Sequence, residues 1–350
     1  MIYLRNTWYA AAWSSEIGEN LLPRKILGES LVFYRGENGV VVSVIDMCPH
    51  RFTPLHLGRL VDGAIECPYH GLRFDNVGRC VFNPDGDGKI PSGARLKTFP
   101  IAERWGCVWI WMGDAAKADP SLIPQFEFLD DPEHFRPVTG LLNIRANYLL
   151  ICDNLMDHAH VTLVHSDTLA SDIISKAKSK LVRRPDGSIW NTRMGENGAP
   201  PQNLAMFWRL LRGEYQGTMD HWLDVRWNAP ALLTNDVGIT LHGAAREEGI
   251  EIKNSHFLTP ETETTTHYFW STVRGFALDN AQIDEQIRIG TEYLFTQEDE
   301  VILMALQEAM GDREFWSMKP ALLPLDVGVV EVRRALSRLI AAEQAQMSEN

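Results

Sequence analysis

Short apolar runs separated by turn sequences dominate the first third of the chain. Glycine-rich segments such as Gly-Glu-Asn-Gly at 36–39 and Pro-Asp-Gly-Asp-Gly at 84–88 interrupt them, and these residue types favour tight turns. The runs have the length of β-strands: Ser30 to Tyr34, Val40 to Ile45, Ala64 to Cys67 and Cys107 to Trp111. The pattern predicts a small all-β domain over residues 1–115.

Longer elements begin after Pro137. The aperiodic stretch 113–124 is predicted to connect the first domain to a second one over residues 116–350. The predicted strands are Val138 to Ala146, Thr218 to Trp227, Ala231 to Gly243, Glu251 to Thr259 and Thr264 to Arg274, with a loop near 185–201. Apolar spacing of three and four residues predicts helices over Tyr148 to Val164, Asn280 to Gly311 and Val327 to Met347. Strands and helices in blocks indicate an α+β domain.

Composition narrows the class of protein. The 350 residues carry a net charge of −13, which argues against a nucleic-acid or anionic-membrane surface. No apolar run approaches the ~18 residues of a membrane helix, and the first residues do not resemble a signal peptide. Five cysteines are few for this length, which suits a reducing compartment, so a cytoplasmic protein is expected.

Two cysteine–histidine pairs lie in the predicted β domain. Cys48-Pro-His50 is followed, after sixteen residues, by Cys67-Pro-Tyr-His70. Thiolate and imidazole ligands suit either a structural zinc ion or an iron–sulfur cluster. The mixed pairs favour a [2Fe–2S] cluster of the Rieske type, in which one iron is held by cysteine and the other by histidine.

A second polar cluster interrupts an apolar helical segment at 153–165, which holds three histidines and two aspartates. Asn154, Asp157 and His160 are three residues apart and are expected on one helix face, with Asp157 bonded to His160. Since five residues separate His160 from His165, a rotation of roughly 140°, a shared metal ion requires the helix to bend or end between them. An internal polar network is the alternative.

Both clusters resemble motifs of the Rieske non-haem iron aromatic oxygenases. The first resembles the Rieske motif and the second their Asn-x2-Asp-x2-His-x4-His iron motif. The chain resembles most the vanillate and dicamba O-demethylase oxygenase components. The resemblance implies a Rieske domain followed by a helix-grip catalytic domain, with a [2Fe–2S] cluster on Cys48, His50, Cys67 and His70. It also implies mononuclear Fe(II) on His160 and His165, and a homotrimer in which Asp157 bridges to a Rieske histidine of the neighbouring subunit.

The third iron ligand is expected to be an acid in Gln297-Glu298-Asp299-Glu300. Successive helical residues point about 100° apart, so at most one acid is expected to face inward. Asp299 lies within the apolar stripe of the helix, Glu298 is its rival, and Glu300 is expected to face solvent. The family places an aspartate on this late helix, which also favours Asp299.

The resemblance implies an oxygenase component that uses O2 and electrons from a ferredoxin or an NAD(P)H-dependent reductase. Its expected reaction is O-demethylation of a methoxylated aromatic acid, which releases formaldehyde. Asn235 and His256 are expected substrate contacts, although each could equally be a hydrogen-bonded strand residue. Arginines near the Rieske loops are either a docking site for the donor protein or solvated side chains: Arg51, Arg59, Arg73 and Arg79.

Three alternatives remain open at the level of sequence. The first is a Rieske oxygenase that hydroxylates a ring or a methyl group of another aromatic substrate. The second is a Rieske electron carrier whose second domain has no catalytic role, and the residues His160, His165 and Asp299 argue against it. The third is a binding protein stabilised by zinc.

Overall fold

The computed structural model describes residues 3–166 and 169–348. The chain folds into two compact units, Met1–Gln125 with Thr259–Glu263, and Phe126–Leu258 with Thr264–Asn350. The sequence-based division at residues 115 and 116 lies ten residues earlier. Segment 259–263 joins the first unit through hydrogen bonds from Thr259 Oγ1 to Ala10 O (2.7 Å) and from Leu27 N to Pro260 O (2.8 Å).

The described part of the first unit contains ten β-strands in three antiparallel sheets, which confirms the predicted all-β domain. The strands are β1 (Trp8–Trp13), β2 (Leu22–Ile26), β3 (Glu29–Arg35), β4 (Val41–Ile45), β5 (Arg59–Val61), β6 (Ala64–Glu66), β7 (Arg73–Phe74), β8 (Cys80–Phe82), β9 (Ile101–Arg104) and β10 (Cys107–Trp111). The sheets have the orders β1-β10-β9, β2-β3-β4 and β5-β6-β7-β8. Cys48 and Cys67 belong to one apolar core with buried residues of β3, β4, β6 and β7.

The described residues of the second unit form a seven-stranded antiparallel sheet with helices, which confirms the α+β prediction. The strands are β11 (Arg136–Ile144), β12 (Ser179–Arg183), β13 (Ile189–Gly198), β14 (Met219–Asn228), β15 (Leu232–Leu241), β16 (Ile250–Pro260) and β17 (Thr266–Arg274). The α-helices are α1 (Tyr148–Met156), α2 (Val161–Val164), α3 (Asp172–Lys176), α4 (Gln202–Arg212), α5 (Ala281–Tyr293), α6 (Glu300–Met310) and α7 (Val327–Ser348). The strand order is β11-β17-β16-β15-β14-β13-β12. None of the helices in the described ranges is both long and apolar enough to cross a membrane.

Strand β13 occupies most of the segment that was predicted to be a loop, so that prediction was wrong. Its buried face carries polar side chains, Asn191 and Arg193, which hide the apolar alternation expected of a strand. Arg193 donates hydrogen bonds to three backbone carbonyls, and Asn191 Nδ2 donates to Met156 O at 2.9 Å. The buried N–H donors of these side chains are tolerated here because backbone carbonyls accept their hydrogen bonds.

The predicted helix over 148–164 is broken in the middle. Asn147 caps the start of α1 by accepting a hydrogen bond from Leu149 N, and α1 ends at Met156. The carboxylate of Asp157 then accepts hydrogen bonds from the backbone N–H groups of Ala159 (2.7 Å) and His160 (3.3 Å). An aspartate that binds nearby backbone in this way competes with the helix. The chain re-enters a helix at Val161, so His160 and His165 flank α2.

Candidate metal centres

The two cysteine–histidine pairs lie on two loops that have the same backbone geometry. In each loop the cysteine N–H donates to a carbonyl five residues later, at 2.9 Å for Cys48 and 2.8 Å for Cys67. The residue four positions after each cysteine donates back to the cysteine carbonyl and has a positive φ, +60° at Phe52 and +70° at Gly71. The sequence therefore builds the same tight turn twice and presents the two pairs to one another.

The four side chains fit a mixed cysteine and histidine cluster. Cys48 and Cys67 are 1% and 2% exposed, and burial raises the pKa of Cys48, beside Cys67, to about 11. His50 and His70 lie on the exposed side, with ring centroids 4.5 Å apart. Two buried thiols and two outer imidazoles match a [2Fe–2S] cluster that has one iron on sulfur and one on nitrogen.

Charged groups next to these loops are largely paired. Arg59 and Arg73 both bind Glu66, at 2.8 and 2.7 Å. Arg79 binds Asp75 at 2.8 Å. These pairs leave less free positive charge for a docking partner than the count of arginines in the sequence indicates.

The second cluster brings His160, His165 and Asp299 together. Their potential ligand atoms lie within 4.8 Å of one another. Asp299 Oδ1 is 3.3 Å from His165 Nε2 and 3.8 Å from His160 Nε2. His165 and Asp299 are buried, at 3% and 4% exposed. Two imidazoles and one carboxylate are the donor set of mononuclear non-haem Fe(II) sites, so these residues fit that ion.

Asn154 and Asp157 surround this cluster but do not share one helix face, because α1 ends between them. Asn154 Nδ2 donates to Asp299 Oδ1 at 2.9 Å and so orients the carboxylate. Asp157 Oδ2 lies 3.7 Å from His160 Nδ1, which is too long for a hydrogen bond. The expected Asp157–His160 side-chain bond is therefore not formed, and Asp157 instead binds the backbone of the turn.

The expectation that only one acid of the late helix faces inward was wrong. Between α5 and α6 the chain forms a π-helical turn, Leu294–Asp299. Glu298 Oε2 contacts His165 Nδ1 at 2.5 Å, while Asp299 Oδ1 faces Nε2 of the same ring. Successive residues of an α-helix point about 100° apart, whereas the wider π-turn brings both consecutive carboxylates to one imidazole.

A large cavity in the second unit opens onto the His160, His165 and Asp299 cluster. Its volume is about 1070 Å³, and α1, α4, α5 and the inner faces of β14 to β17 line it. Apolar side chains such as Leu223, Val225 and Val237 form much of the wall. A mainly apolar cavity beside a candidate metal site has the properties of a pocket for an organic substrate.

Asn235 and His256 both lie on the cavity wall, on adjacent strands. Among the described residues, Asn235 Oδ1 and His256 Nε2 are buried atoms without a hydrogen-bond partner. His256 Nδ1 is bonded to the hydroxyl of Tyr268 at 2.8 Å. Buried polar atoms normally have a hydrogen-bond partner. These two atoms lack one in the described part of the chain, so they are available to bond a molecule bound in the cavity.

Sequence reasoning missed two further polar groups, one at this wall and one behind it. His221 is 2% exposed and lines the cavity, and its Nδ1 pairs with Ser171 Oγ at 2.8 Å. Tyr268 does not line the cavity but fixes a residue that does. The other residues on the His221 face of β14 are apolar, so its only signal in the sequence is a polar residue at a core position. Tyr268 shares its face of β17 with buried Thr266, Thr272 and Arg274, so no such contrast marks it in the sequence.

Comparison with known proteins identifies both units. Residues 7–100 match the Rieske [2Fe-2S] domain, and residues 144–342 match the vanillate O-demethylase oxygenase C-terminal domain. The chain is 41% identical over 343 residues to the chloroacetanilide N-alkylformylase oxygenase component of Rhizorhabdus wittichii, covering 98% of this chain and 97% of that protein.

A second relative and a crystal structure agree with this. The dicamba O-demethylase oxygenase component of Stenotrophomonas maltophilia is 38% identical, covering 99% of this chain and all of the relative. The crystal structure of dicamba monooxygenase bound to dicamba superposes with a TM-score of 0.91 at 36% identity, covering 99% of this chain and 100% of that one. The expected cofactors, a Rieske [2Fe–2S] cluster and a mononuclear iron, are those of such proteins. The chain belongs to the Rieske non-haem iron oxygenases, as a monooxygenase component of the vanillate and dicamba O-demethylase group.

Proposed function

We propose that this monooxygenase component removes the methyl group from a methoxylated aromatic acid, such as a vanillate-like or dicamba-like compound. The observation that carries the proposal is the large apolar cavity that ends at His160, His165 and Asp299. Relatives named for O-demethylation of dicamba and vanillate support the reaction type. One O2, two electrons and two protons would convert the methyl ether to a phenol, formaldehyde and water.

In this proposal His160, His165 and Asp299 hold the iron, and Cys48, His50, Cys67 and His70 hold the cluster. The iron, when bound, supplies activation of O2 for hydroxylation of the methyl carbon. Asn154 keeps the Asp299 carboxylate oriented through its 2.9 Å hydrogen bond. The apolar wall excludes water from the aromatic ring and leaves hydrogen bonds to a few polar atoms to set its orientation.

Asn235 and His256 are proposed to bind the carboxylate of the substrate, Asn235 as a donor through its Nδ2 amino group, because its Oδ1 can only accept a hydrogen bond. The Tyr268 hydroxyl can donate to His256 Nδ1, which leaves Nε2 as an N–H donor on the cavity side. Replacing His256 or Asn235 with alanine is expected to raise KM and leave both metals bound. If both variants keep the apparent substrate affinity of the wild type, the assigned role is incorrect.

A neutral N-alkyl anilide is a second candidate substrate, and the charge of the cavity favours it. Among the described lining residues Arg209 alone carries a permanent positive charge, and it lies half-exposed, 3.4 Å from Glu214. Burial lowers the pKa of His221 to about 4 and that of His256 to about 3, so both are neutral donors at pH 7. Burying a carboxylate without a cation is costly, whereas a neutral amide needs only hydrogen bonds.

The deciding experiment is product analysis with purified protein, loaded with iron and supplied with an electron donor. Methoxylated benzoic acids and N-alkyl anilides are offered in parallel, and substrate loss, formaldehyde and aromatic products are quantified. Formaldehyde in equal amount to a phenol supports the demethylase. A dealkylated anilide without turnover of the acids selects the second candidate, and a ring- or methyl-hydroxylated product contradicts both. No product from iron-loaded protein favours the electron carrier.

The partners follow from the same proposal. A ferredoxin or reductase supplies electrons, and the oxygenase component acts in the cytoplasm as a homotrimer, with Asp157 contacting His70 of the partner subunit. Replacing Asp157 with asparagine preserves an oxygen that can cap the turn and removes the charge. We expect this variant to keep both metals and lose turnover. Normal turnover would exclude the bridging role.

A further inference from the structure

We infer that Glu298 is a positioning residue that holds His165 in the tautomer that binds iron. The inference rests on the proposed iron site and gives a role to Glu298, which is not among the three residues proposed to hold the iron. Glu298 is largely buried, with its side chain 16% exposed, and its Oε2 lies 2.5 Å from His165 Nδ1. The ring therefore has one carboxylate on each nitrogen, Glu298 on Nδ1 and Asp299 on Nε2.

The hydrogen bond determines which ring nitrogen is protonated. An ionised carboxylate only accepts hydrogen bonds, so the contact with Glu298 requires a proton on Nδ1. In the neutral imidazole Nε2 then carries the lone pair, and this nitrogen points to Asp299. A carboxylate on the outer nitrogen fixes the ring and also makes the ligating nitrogen more basic.

The two histidines of the site differ in this respect. His160 Nδ1 is 3.7 Å from Asp157 Oδ2, and it is a buried atom without a hydrogen-bond partner among the described residues. Among the described residues, nothing of comparable strength fixes the His160 ring. Glu298 is therefore the residue whose loss would most disorder the nitrogen donors.

The π-helical turn makes the arrangement possible. It places Glu298 and Asp299, adjacent in sequence, on opposite nitrogens of one ring. Thr296 Oγ1 donates to Glu292 O at 2.8 Å within the same segment. An α-helical turn would direct one of the two acids away, so the local backbone is built for two inward carboxylates.

The test is metal affinity of Glu298→Gln and Glu298→Leu, with Glu300→Gln as the matched control for loss of one negative charge nearby. Protein freed of its mononuclear iron is titrated anaerobically with Fe(II) alone, and with Co(II) to follow the ligand-field absorption. We expect Glu298→Leu to weaken binding by about 10- to 100-fold. Glu298→Gln is expected to be intermediate because its amide oxygen still accepts from Nδ1–H. The Fe(II) affinity of the Glu300→Gln control should equal that of the wild type, and the Rieske absorbance should stay unchanged.

Wild-type affinity and an unaltered Co(II) spectrum in Glu298→Leu would overturn the inference. Equal weakening in Glu300→Gln would also overturn it, because the effect would then be general electrostatics. If the leucine variant does not fold, the glutamine variant decides. The readout needs no substrate, so wild-type protein that binds Fe(II) but demethylates nothing would count against the proposed function alone.

Discussion

Phe52 and Gly71 occupy the same position in the two cluster loops, and both adopt left-handed backbone geometry, at φ +60° and +70°. For an L-residue this region costs roughly 1–2 kcal/mol, and glycine avoids the cost. Phe52 is 69% exposed, so little packing within the described residues offsets the strain. The same turn is therefore relaxed in one loop and strained in the other.

Opposite substitutions at these two positions are predicted to have opposite effects. Gly71→Ala places a Cβ 3.1 Å from Pro84 Cγ at a positive φ and should destabilise the first unit by about 1–2 kcal/mol. Phe52→Gly should be neutral or stabilising. Urea unfolding followed through the Rieske absorbance measures both. If both variants lose the same unfolding free energy, the Phe52 side chain makes a stabilising contact that outweighs the backbone strain.

Tyr268→Phe is predicted to weaken substrate binding without affecting the metals. The change removes the hydroxyl that pairs with His256 Nδ1 and leaves that nitrogen buried and unsatisfied. We expect KM to rise about tenfold with kcat within about twofold, as an unsatisfied buried group costs about 1–3 kcal/mol. Ser271→Ala is the control, since Ser255 and Ser271 also pair across β16 and β17, at 2.6 Å. A similar KM change in both variants would assign the effect to strand stability.

At the scale of elements, one aspartate joins the ends of three strands. Asp220 in β14 accepts hydrogen bonds from Asn197 N (2.8 Å), His242 Nδ1 (2.8 Å) and Gly243 N (3.0 Å). These groups belong to β13 and to the turn that follows β15. Burial by itself raises the pKa of Asp220, but the donors outweigh it and lower the pKa overall.

The Asp220 contribution to stability should be lost in acid. Because its pKa is lower in the folded protein than in the unfolded chain, the contribution is present above about pH 4 and declines as the pH falls through the folded value. Asp220→Asn should cost about 1–3 kcal/mol at neutral pH. Urea unfolding at a series of pH values should show that the difference in unfolding free energy between wild type and Asp220→Asn disappears below about pH 4. Glu247→Gln, a substitution of an exposed carboxylate, serves as the control. If the difference in unfolding free energy between Asp220→Asn and wild type does not change with pH, the charge of Asp220 is not its cause.

At the scale of the whole molecule, the proposed trimer predicts complementation between two inactive variants. Cys67→Ala removes a cluster ligand and Asp299→Ala removes an iron ligand. If the Cys48 to His70 loops of one subunit serve the iron residues of its neighbour, mixed oligomers should regain part of the activity that each variant lacks. Coexpression followed by turnover assays measures this.

The control for this experiment is Cys67→Ala coexpressed with the Cys67→Ala/Asp299→Ala double variant, in which no subunit has an intact cluster. Recovery in the first mixture and not in the control supports electron delivery between subunits. If mixed oligomers of verified composition regain no turnover, the cluster and the iron site that work together belong to one chain.

The sequence by itself determined which types of donor atom each site offers. Cys48, His50, Cys67 and His70 are close in sequence within two short loops, and His160 and His165 flank a single turn, so spacing alone restricts what they can bind. The apolar patterns also determined the α+β class, because burial of apolar positions follows the period of a strand or helix.

Tertiary structure decided those features that depend on contacts between residues far apart in sequence or on irregular backbone geometry. The β13 strand could not be predicted because its inward side chains, Asn191 and Arg193, are polar and donate hydrogen bonds to carbonyls of other segments. The break at Asp157 and the π-turn at Leu294–Asp299 depend on local deviations from ideal geometry, which no periodicity encodes. Asp299 lies 139 residues from His160, so only the fold could bring Glu298 and Asp299 to the two nitrogens of His165.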